Sequence, residues 1–168
     1  REQDEATRAG EEESNAALPV GTRVLLAEDS PVNQQVASGM LVAFGCQVRV
    51  VENGQLALEV LEEEPYDLVL MDCMMPVLDG FEATAEVRRR ERADPGRPRA
   101  YIVAVTASAM TGDRERCLKA GMDDFVAKPY SGEDLRAALV RGIVAARADE
   151  RQSGAKSPQP GPERLAAI

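Results

Sequence analysis

Residues suited to acid and phosphate chemistry stand where the short apolar runs of this chain stop. Glu28 and Asp29 follow the first run, Asp72 ends the third, and Thr106 and Lys128 end the fourth and follow the fifth. Three carboxylates held close together need a compensating cation, and carboxylate oxygens with several retained waters suit Mg²⁺. An aspartate beside such a metal can attack a phosphoryl group and form an aspartyl phosphate. Whether the chain can do this depends on the elements that position the five side chains.

Strand-like and helix-like patterns alternate through the middle of the chain. Short apolar runs bounded by turn residues predict strands, and apolar residues at helical spacing predict helices. The predicted strands cover 23–27, 47–51, 68–72, 101–105 and 124–127, and the predicted helices cover 32–44, 53–63, 81–91, 113–120 and 131–146. Five strand–helix units in strict alternation predict an α/β fold with a parallel, doubly wound, five-stranded sheet.

The flavodoxin-like strand order 2-1-3-4-5 brings the five side chains to one edge of such a sheet. Parallel strands all end on the same edge, and in this order the first and third strands are neighbours at the switch point. Glu28, Asp29 and Asp72 are therefore expected to lie close together. Lys128 supplies one positive charge, the excess negative charge predicts Mg²⁺, and the Thr106 hydroxyl can donate a hydrogen bond to a phosphoryl oxygen. Each residue alone is an ordinary turn or capping residue, so the prediction rests on their joint occurrence.

Three predicted helices carry an apolar face that we expect to pack on the sheet. Its members are Val36, Met40, Leu41 and Phe44 in the first helix, Leu56, Val60 and Leu61 in the second, and Leu135, Leu139, Ile143 and Val144 in the last. Ser131 is expected to cap the last helix. The arginine-rich segment 88–99 is expected to be a solvated loop with no docking role.

Composition excludes several classes of function. The net charge of −9 argues against nucleic acid as a direct partner. The absence of histidine excludes histidine-based catalysis, histidine metal sites and a phosphohistidine donor within this sequence. Three cysteines, odd in number and not at metal-ligand spacing, predict reduced thiols in a cytoplasmic protein. No apolar run approaches membrane-spanning length, so no membrane contact by this segment is expected.

The two ends of the chain differ from its middle. Residues 1–20 are acidic and almost free of large apolar side chains, and residues 148–168 contain the breaker run 157–162. Such segments cannot bury enough surface to order themselves, so we predict a disordered linker, a folded domain at 21–147 and a disordered tail. Because the chain begins with Arg1, we expect it to be a piece of a longer protein.

Several sequence blocks resemble, in order, the receiver domain of two-component response regulators. They are 24–29 (VLLAED), 70–76 (LMDCMMP), 79–80 (DG), 104–107 (AVTA) and 127–129 (AKP), and the resemblance runs from 22 to about 145. Receivers have the flavodoxin-like topology. The blocks 30–33 (SPVN), 72–76 (DCMMP) and 120–125 (AGMDDF) are most similar to the receivers of hybrid sensor histidine kinases.

The resemblance implies a metal site and a phosphoacceptor. Asp72 is the expected phosphoacceptor. Asp29 and Asp72 are expected to bind Mg²⁺ directly, together with the backbone carbonyl of Met74, and Glu28 is expected to act mainly through water.

The resemblance also implies a conformational switch. Lys128 and Thr106 would contact the phosphoryl group, and Phe125 stands at the family's aromatic switch position. Movement of Thr106 and inward rotation of Phe125 would reshape the face made by the fourth helix, fifth strand and fifth helix. Met74 and Ser108 fall at positions that in this family tune hydrolysis of the aspartyl phosphate, and because Met74 cannot orient a water, we predict slow self-dephosphorylation.

The expected partners are a sensor histidine kinase, a histidine phosphotransfer protein, or both. The resemblance also allows a homodimer through the reshaped face. A receiver catalyses its own phosphorylation and dephosphorylation and is not expected to turn over an external substrate. The sequence leaves open whether the parent is a stand-alone regulator or a hybrid kinase.

Three other functions are compatible with parts of the pattern. An aspartate-nucleophile phosphatase needs a second acid two residues after the nucleophile, where this chain has Met74. A flavin-binding module needs a Gly/Ser/Thr-rich phosphate loop after the first strand, where Glu28 and Asp29 would repel the phosphate. A pseudo-receiver would act as an interaction module without phosphorylation, and phosphoryl uptake by Asp72 distinguishes it from a working receiver.

Overall fold

The computed structural model describes residues 18–108 and 110–152. Within them, strands and helices alternate as β1 (Arg23–Ala27), α1 (Pro31–Ala43), β2 (Gln47–Val51), α2 (Gly54–Glu63), β3 (Leu68–Asp72), α3 (Gly80–Ala93), β4 (Ile102–Thr106), α4 (Thr111–Ala120), β5 (Asp124–Ala127) and α5 (Gly132–Gln152). All the described helices except α4 start where a side chain caps a free backbone N–H group. Ser30, Asn53 and Asp79 each accept from an amide three residues on, and Ser131 accepts from the Asp134 amide, which confirms the predicted cap.

The five strands form one parallel sheet in the order β2-β1-β3-β4-β5, which confirms the predicted fold. The ends of the central strands lie side by side, because Ala27 pairs with Met71 and Asp72 pairs with Val105. Thr106 pairs with Ala127 at the end of β5. The residues that end or follow β1, β3, β4 and β5 therefore share one edge of the sheet.

Alternate strand side chains face two apolar layers. Val24, Leu26, Leu68 and Leu70 pack with residues of α1 and α5, and Leu25, Ala27, Val69 and Met71 pack with residues of α2, α3 and α4. Every residue of β3 and β4 is buried, as expected for central parallel strands covered on both faces. Such burial fixes the strand register, and the register fixes the positions of Asp72 and Thr106 at the ends of β3 and β4.

The buried faces of α1 and α5 differ from the predicted ones. Val36 in α1 and Val144 in α5 are 51% and 63% exposed, so their assignment to the core is wrong. The small side chain of Ala37 is buried instead, beside Leu41. Alanine lets the α1 backbone approach the sheet closely, and a face chosen by the largest apolar residues misses it.

The folded part is longer than predicted at both ends. Helix α5 continues to Gln152, so residues 148–152 of the predicted tail are helical. Leu18, within the predicted linker, is buried against the layer that contains α1 and α5. Pro19 and Val20, also in the predicted linker, are exposed, and residues 1–17 and 153–168 lie outside the described residues.

The arginine-rich segment is not the solvated loop that the sequence suggested. Helix α3 runs through Arg88 to Ala93, and the side chain of Arg88 is only 11% exposed. Its guanidinium donates to Glu91, to Asp123 and to the backbone oxygens of Ala100 and Gly121. Arg88 therefore joins α3 to the C-terminal end of α4 and to the start of β4, and the prediction is wrong for this residue.

Candidate functional site

Three carboxylates meet at the edge of the sheet where β1 and β3 end. One carboxylate oxygen each from Glu28, Asp29 and Asp72 lies within 4.8 Å of the other two. Glu28 and Asp72 are buried, whereas Asp29 is exposed. The group therefore opens to solvent on the side of Asp29 and is walled by protein on the other side.

Lys128 supplies the positive charge of the cluster. Its Nζ donates to Oε2 of Glu28 and to Oδ2 of Asp72, both at 3.1 Å. Partial burial alone would lower the pKa of Lys128, but the hydrogen bonds and charges of Asp72 and then Glu28 outweigh it and raise the pKa. Lys128 therefore carries a positive charge near neutral pH. The peptide bond between Lys128 and Pro129 is cis.

The donor set fits a hard divalent cation. One ammonium against three carboxylates leaves an excess of negative charge in a partly buried position. Oxygen ligands with one open side, where waters can be retained, are what Mg²⁺ prefers. The side chains of Glu28, Asp29 and Asp72 could hold such an ion.

Two polar residues of α1 hold Glu28 in place, and sequence reasoning missed both. Asn33 donates to Oε1 of Glu28 at 3.4 Å, and Gln34 donates to its backbone oxygen at 2.6 Å. The Ser30 amide also donates to Oε1 at 3.2 Å. The sequence did contain a signal for this role: an Asn and a Gln stand three and four residues after the helix cap Ser30. Residues at those positions lie on the first turn of α1, which faces the end of β1.

The loop between β3 and α3 approaches Asp72 closely because two glycines allow it. A Cβ at Gly80 would lie 2.2 Å from the Asp72 backbone oxygen, and one at Gly54 would lie 2.5 Å from the Leu78 oxygen. The loop brings the Met74 amide to 3.2 Å from Oδ1 of Asp72. The Met74 side chain points outward and is 66% exposed, so it leaves the mouth of the site without a polar side chain at that position.

Thr106 lies on the same edge but its hydroxyl is engaged elsewhere. It donates to the Ser108 backbone oxygen at 2.9 Å and accepts from the Ser108 amide at 3.2 Å. Phe125 is half-buried, packs on the layer of α2, α3 and α4, and has the Arg114 guanidinium 5.5 Å from its ring centroid. The structure thus brings carboxylate oxygens of Glu28, Asp29 and Asp72 within 4.8 Å of one another and joins Lys128 to Glu28 and Asp72 by hydrogen bonds. Thr106 ends β4 on the same edge, with Ser108 two residues after it, and Phe125 lies on β5 three residues before Lys128.

A family model described as "Response regulator receiver domain" matches residues 24–140. The chain belongs to this receiver domain family. It is 39% identical over 124 residues to hybrid signal transduction histidine kinase K of Dictyostelium discoideum, an alignment that covers 72% of this chain and 10% of that protein. It is 41% identical over 128 residues to transcription factor SKN7 of Saccharomyces cerevisiae, covering 76% and 20%. The receiver domain thus spans a fifth or less of these relatives.

Solved receiver structures have the same fold. The receiver of sensor histidine kinase PA1611 from Pseudomonas aeruginosa, which holds a magnesium ion in its active-site cleft, is 46% identical with a TM-score of 0.66, covering 74% of this chain and 99% of that one. The receiver of Ssk1 from Saccharomyces cerevisiae, solved with the histidine phosphotransfer protein Ypd1, is 30% identical with a TM-score of 0.66, covering 76% and 89%. This chain is a receiver module of the two-component phosphorelay type, and hybrid histidine kinases are among its relatives. Within residues 18–108 and 110–152, no helix combines the length and apolar character needed to cross a membrane.

Proposed function

We propose that Asp72 accepts a phosphoryl group from a phosphohistidine donor in a Mg²⁺-dependent step. The observation that carries this proposal is the convergence of three carboxylates with Lys128 at one edge of the sheet. Asp72 is the member of the set that ends the central strand and that two neighbouring groups, Lys128 and the Met74 amide, already orient.

Glu28, Asp29, Asp72 and the backbone carbonyl of Met74 would hold the metal ion. When bound there, Mg²⁺ would neutralise negative charge that develops on the transferring phosphoryl oxygens. Glu28 would act mainly through a metal-bound water, because its own oxygens already accept from Lys128, Ser30 and Asn33.

The transfer itself needs positioning more than covalent help from the protein. A carboxylate oxygen of Asp72 forms the new bond to phosphorus. The phosphorus–nitrogen bond of the donor breaks, and its electron pair returns to the imidazole, which takes up a proton. Lys128 is positioned to donate to a phosphoryl oxygen, and Thr106 would do so after its hydroxyl turns away from Ser108.

Rearrangement of Thr106 would pass the change to the face made by α4, β5 and α5. Phe125 lies on the neighbouring strand β5 and is half-buried, and in this proposal its ring would turn inward as Thr106 moves. We propose that Thr106 and Phe125 form the switch and that the α4-β5-α5 face is where a partner, or a second copy of the chain, would detect it.

The proposed donors are a sensor histidine kinase and a histidine phosphotransfer protein. Val32 and Val36 in the first turns of α1, the helix that follows β1, are 69% and 51% exposed, and Met74 in the loop after β3 is 66% exposed. These exposed apolar side chains, on segments that follow the two strands bearing the carboxylates, suit the docking of a helical donor. We further propose that the receiver is part of a hybrid histidine kinase and acts in the cytoplasm, where its three free thiols would be reduced in the absence of an added oxidant.

The test is the intact mass after incubation with Mg²⁺ and acetyl phosphate. We expect one added phosphoryl group in the parent protein, none in Asp72→Asn, and one in the matched control Asp94→Asn. Asp94 is exposed and lies at the C-terminal end of α3, where it accepts from the Gly96 amide. Omission of Mg²⁺ should abolish the gain in the parent protein and in Asp94→Asn.

Other outcomes point to the other functions. A gain that survives Asp72→Asn would place the phosphoacceptor elsewhere. No gain in any protein, with either acetyl phosphate or a phosphorylated histidine phosphotransfer protein as donor and with Mg²⁺ binding shown by calorimetry, would favour the pseudo-receiver. Sustained turnover of a phosphomonoester such as p-nitrophenyl phosphate would favour the phosphatase.

A further inference from the structure

Two buried thiols face each other directly behind the acidic cluster. The Sγ atoms of Cys73 and Cys117 are 3.9 Å apart, and the two residues are 3% and 1% exposed. Cys73 follows Asp72 at the end of β3, and Cys117 lies in α4. The pair therefore bridges the phosphoacceptor loop and a helix of the proposed output face.

The two partners differ in how firmly they are held. The Cys73 amide donates to the Val105 oxygen and its own oxygen accepts from the Gly80 amide, both at 3.0 Å, so this residue is fixed to the sheet and the loop. Helix α4 has only ten residues and begins after Met110, whose side chain makes no capping hydrogen bond. Short helices without a cap open at low cost, so α4 is the element whose opening would admit a small oxidant.

We propose that Cys73 and Cys117 form a reversible disulfide with a peroxide as the oxidant, and that this bond locks α4 against the phosphoacceptor loop. The sulfurs must approach by about 1.9 Å to reach the S–S bond length of about 2.05 Å. One thiolate attacks the peroxide oxygen, which gives a sulfenic acid and, for hydrogen peroxide, one water. The second thiol then displaces the sulfenic oxygen as another water. Two thiols lose two electrons and two protons in total, and the peroxide is reduced.

The third cysteine offers a matched control. Cys46 is also buried but lies in the other apolar layer, with α1 and α5, on the opposite face of the sheet from Cys73 and Cys117. It cannot reach either sulfur in the folded protein. Its substitution by serine should therefore leave the bond between Cys73 and Cys117 unaffected.

The first measurement is a thiol count by alkylation and intact mass after treatment of the folded chain with hydrogen peroxide. We expect loss of two hydrogens, one remaining alkylatable thiol, a Cys73–Cys117 cross-linked peptide after proteolysis, and full recovery with dithiothreitol. Cys46→Ser should give the same cross-link, and Cys73→Ala and Cys117→Ala should give none. In the parent protein, three alkylatable thiols after treatment, or sulfinic acids without a cross-link, would overturn the proposal.

The second measurement concerns the effect on phosphorylation, and this part rests on the proposed function. A bond that holds α4 in its present position should disfavour the switched state and slow phosphoryl uptake from acetyl phosphate by about tenfold. A variant with both Cys73→Ala and Cys117→Ala should take up phosphoryl at one rate with and without peroxide. A cross-linked protein with unchanged uptake would overturn the regulatory role. Reduced protein that takes up no phosphoryl would overturn the proposed function instead, while the mass measurement would still decide whether the disulfide forms.

Discussion

Lys128 is the residue on which the balance of charge at the site depends. Removal of its ammonium by Lys128→Ala leaves the buried carboxylates of Glu28 and Asp72 without a cation, which should cost about 3 kcal/mol of unfolding free energy in metal-free buffer. A competing positive charge also leaves the site, so Mg²⁺ should bind up to about tenfold more tightly. Urea unfolding with and without Mg²⁺, and calorimetric titration of the metal, measure both effects.

The matched control for this prediction is Lys119→Ala. Lys119 is exposed on α4, away from the acidic cluster, and its loss should change neither quantity beyond experimental error. Weaker Mg²⁺ binding in Lys128→Ala would contradict the assignment of the carboxylates as the metal ligands.

Met74 is expected to set a long lifetime for the aspartyl phosphate. Its side chain stands 66% exposed at the mouth of the site and cannot orient an attacking water. Met74→Asn adds an amide that can, and should speed loss of the phosphoryl group on the order of tenfold, measured by intact mass over time after removal of the phosphodonor. Met74→Leu should leave the rate unchanged. A phosphoryl half-life of seconds in the parent protein, with Mg²⁺ present, would contradict the prediction.

Sequence identified the residue types of the site better than their contacts. Asp72, Glu28, Asp29 and Lys128 could be placed together because strand ends in a parallel sheet converge, and the structure joins them. The hydrogen bonds of Thr106 to Ser108 could not be foreseen, because they depend on the path of the loop after β4. Asn33 and Gln34 were missed for the same reason, since their role follows from how α1 leaves β1.

The close approach of the loop after β3 to Asp72 makes Gly80 intolerant of a larger side chain. A Cβ there would lie 2.2 Å from the Asp72 oxygen, and the loop must shift to accept it. Gly80→Ala should lower the unfolding free energy by at least about 2 kcal/mol and slow phosphoryl uptake, because the same loop orients Asp72. Urea unfolding and intact mass measure the two effects.

Gly39 provides the control for Gly80→Ala. It lies on the exposed side of α1, and a Cβ added there would have no neighbouring atom within 4 Å. Gly39→Ala should stabilise the protein by about 0.5–1 kcal/mol, because alanine favours the helix. Destabilisation by both substitutions would show that crowding at Asp72 is not the cause.

The order and type of the elements were predictable from sequence because each strand is short, apolar and bounded by turn residues. The ends of the helices and the faces that they bury were harder to predict. The continuation of α5 to Gln152 includes a polar stretch with no apolar period to signal it, and the buried face of α1 contains Ala37, which a search for large apolar side chains passes over. Local pattern thus specifies which element forms, while packing decides how it is rotated and where it ends.

Arg88 shows why a run of charged residues does not indicate by itself which member is buried when the helices and the sheet pack together. Three successive arginines in α3 are indistinguishable in sequence, yet Arg88 is 11% exposed and Arg89 is 63% exposed. The difference arises because Arg88 faces the end of α4 and the start of β4 and pairs there with Asp123, the residue before β5. Arg89 instead pairs with Glu86 on the outer side of its own helix. Only the assembled layers distinguish the two.

The pair of substitutions Arg88→Met and Arg89→Met tests this difference directly. Methionine keeps an apolar stem and removes the charge, so each change isolates the guanidinium contacts. Loss of the Arg88 guanidinium deprives Asp123 and Glu91 of one partner each and leaves the Gly121 and Ala100 oxygens without their donor. The Ala100 amide still donates to Glu91. Arg99 and the Ile102 amide still donate to Asp123, so we expect a cost of about 2–3 kcal/mol, below that of a fully orphaned buried charge.

Arg89→Met should leave the free energy of unfolding nearly unchanged, because solvent screens exposed ion pairs. Urea unfolding of both variants gives the comparison. Because Arg88 ties the C-terminal end of α4 to α3, its loss should also increase hydrogen exchange of the α4 amides, whereas Arg89→Met should leave that exchange unchanged. Equal stability of the two variants would mean that the hydrogen bonds of Arg88 to Asp123 and to the Gly121 oxygen do not hold α4 in place. The helix would then be held by the packing of Cys117 in the apolar layer.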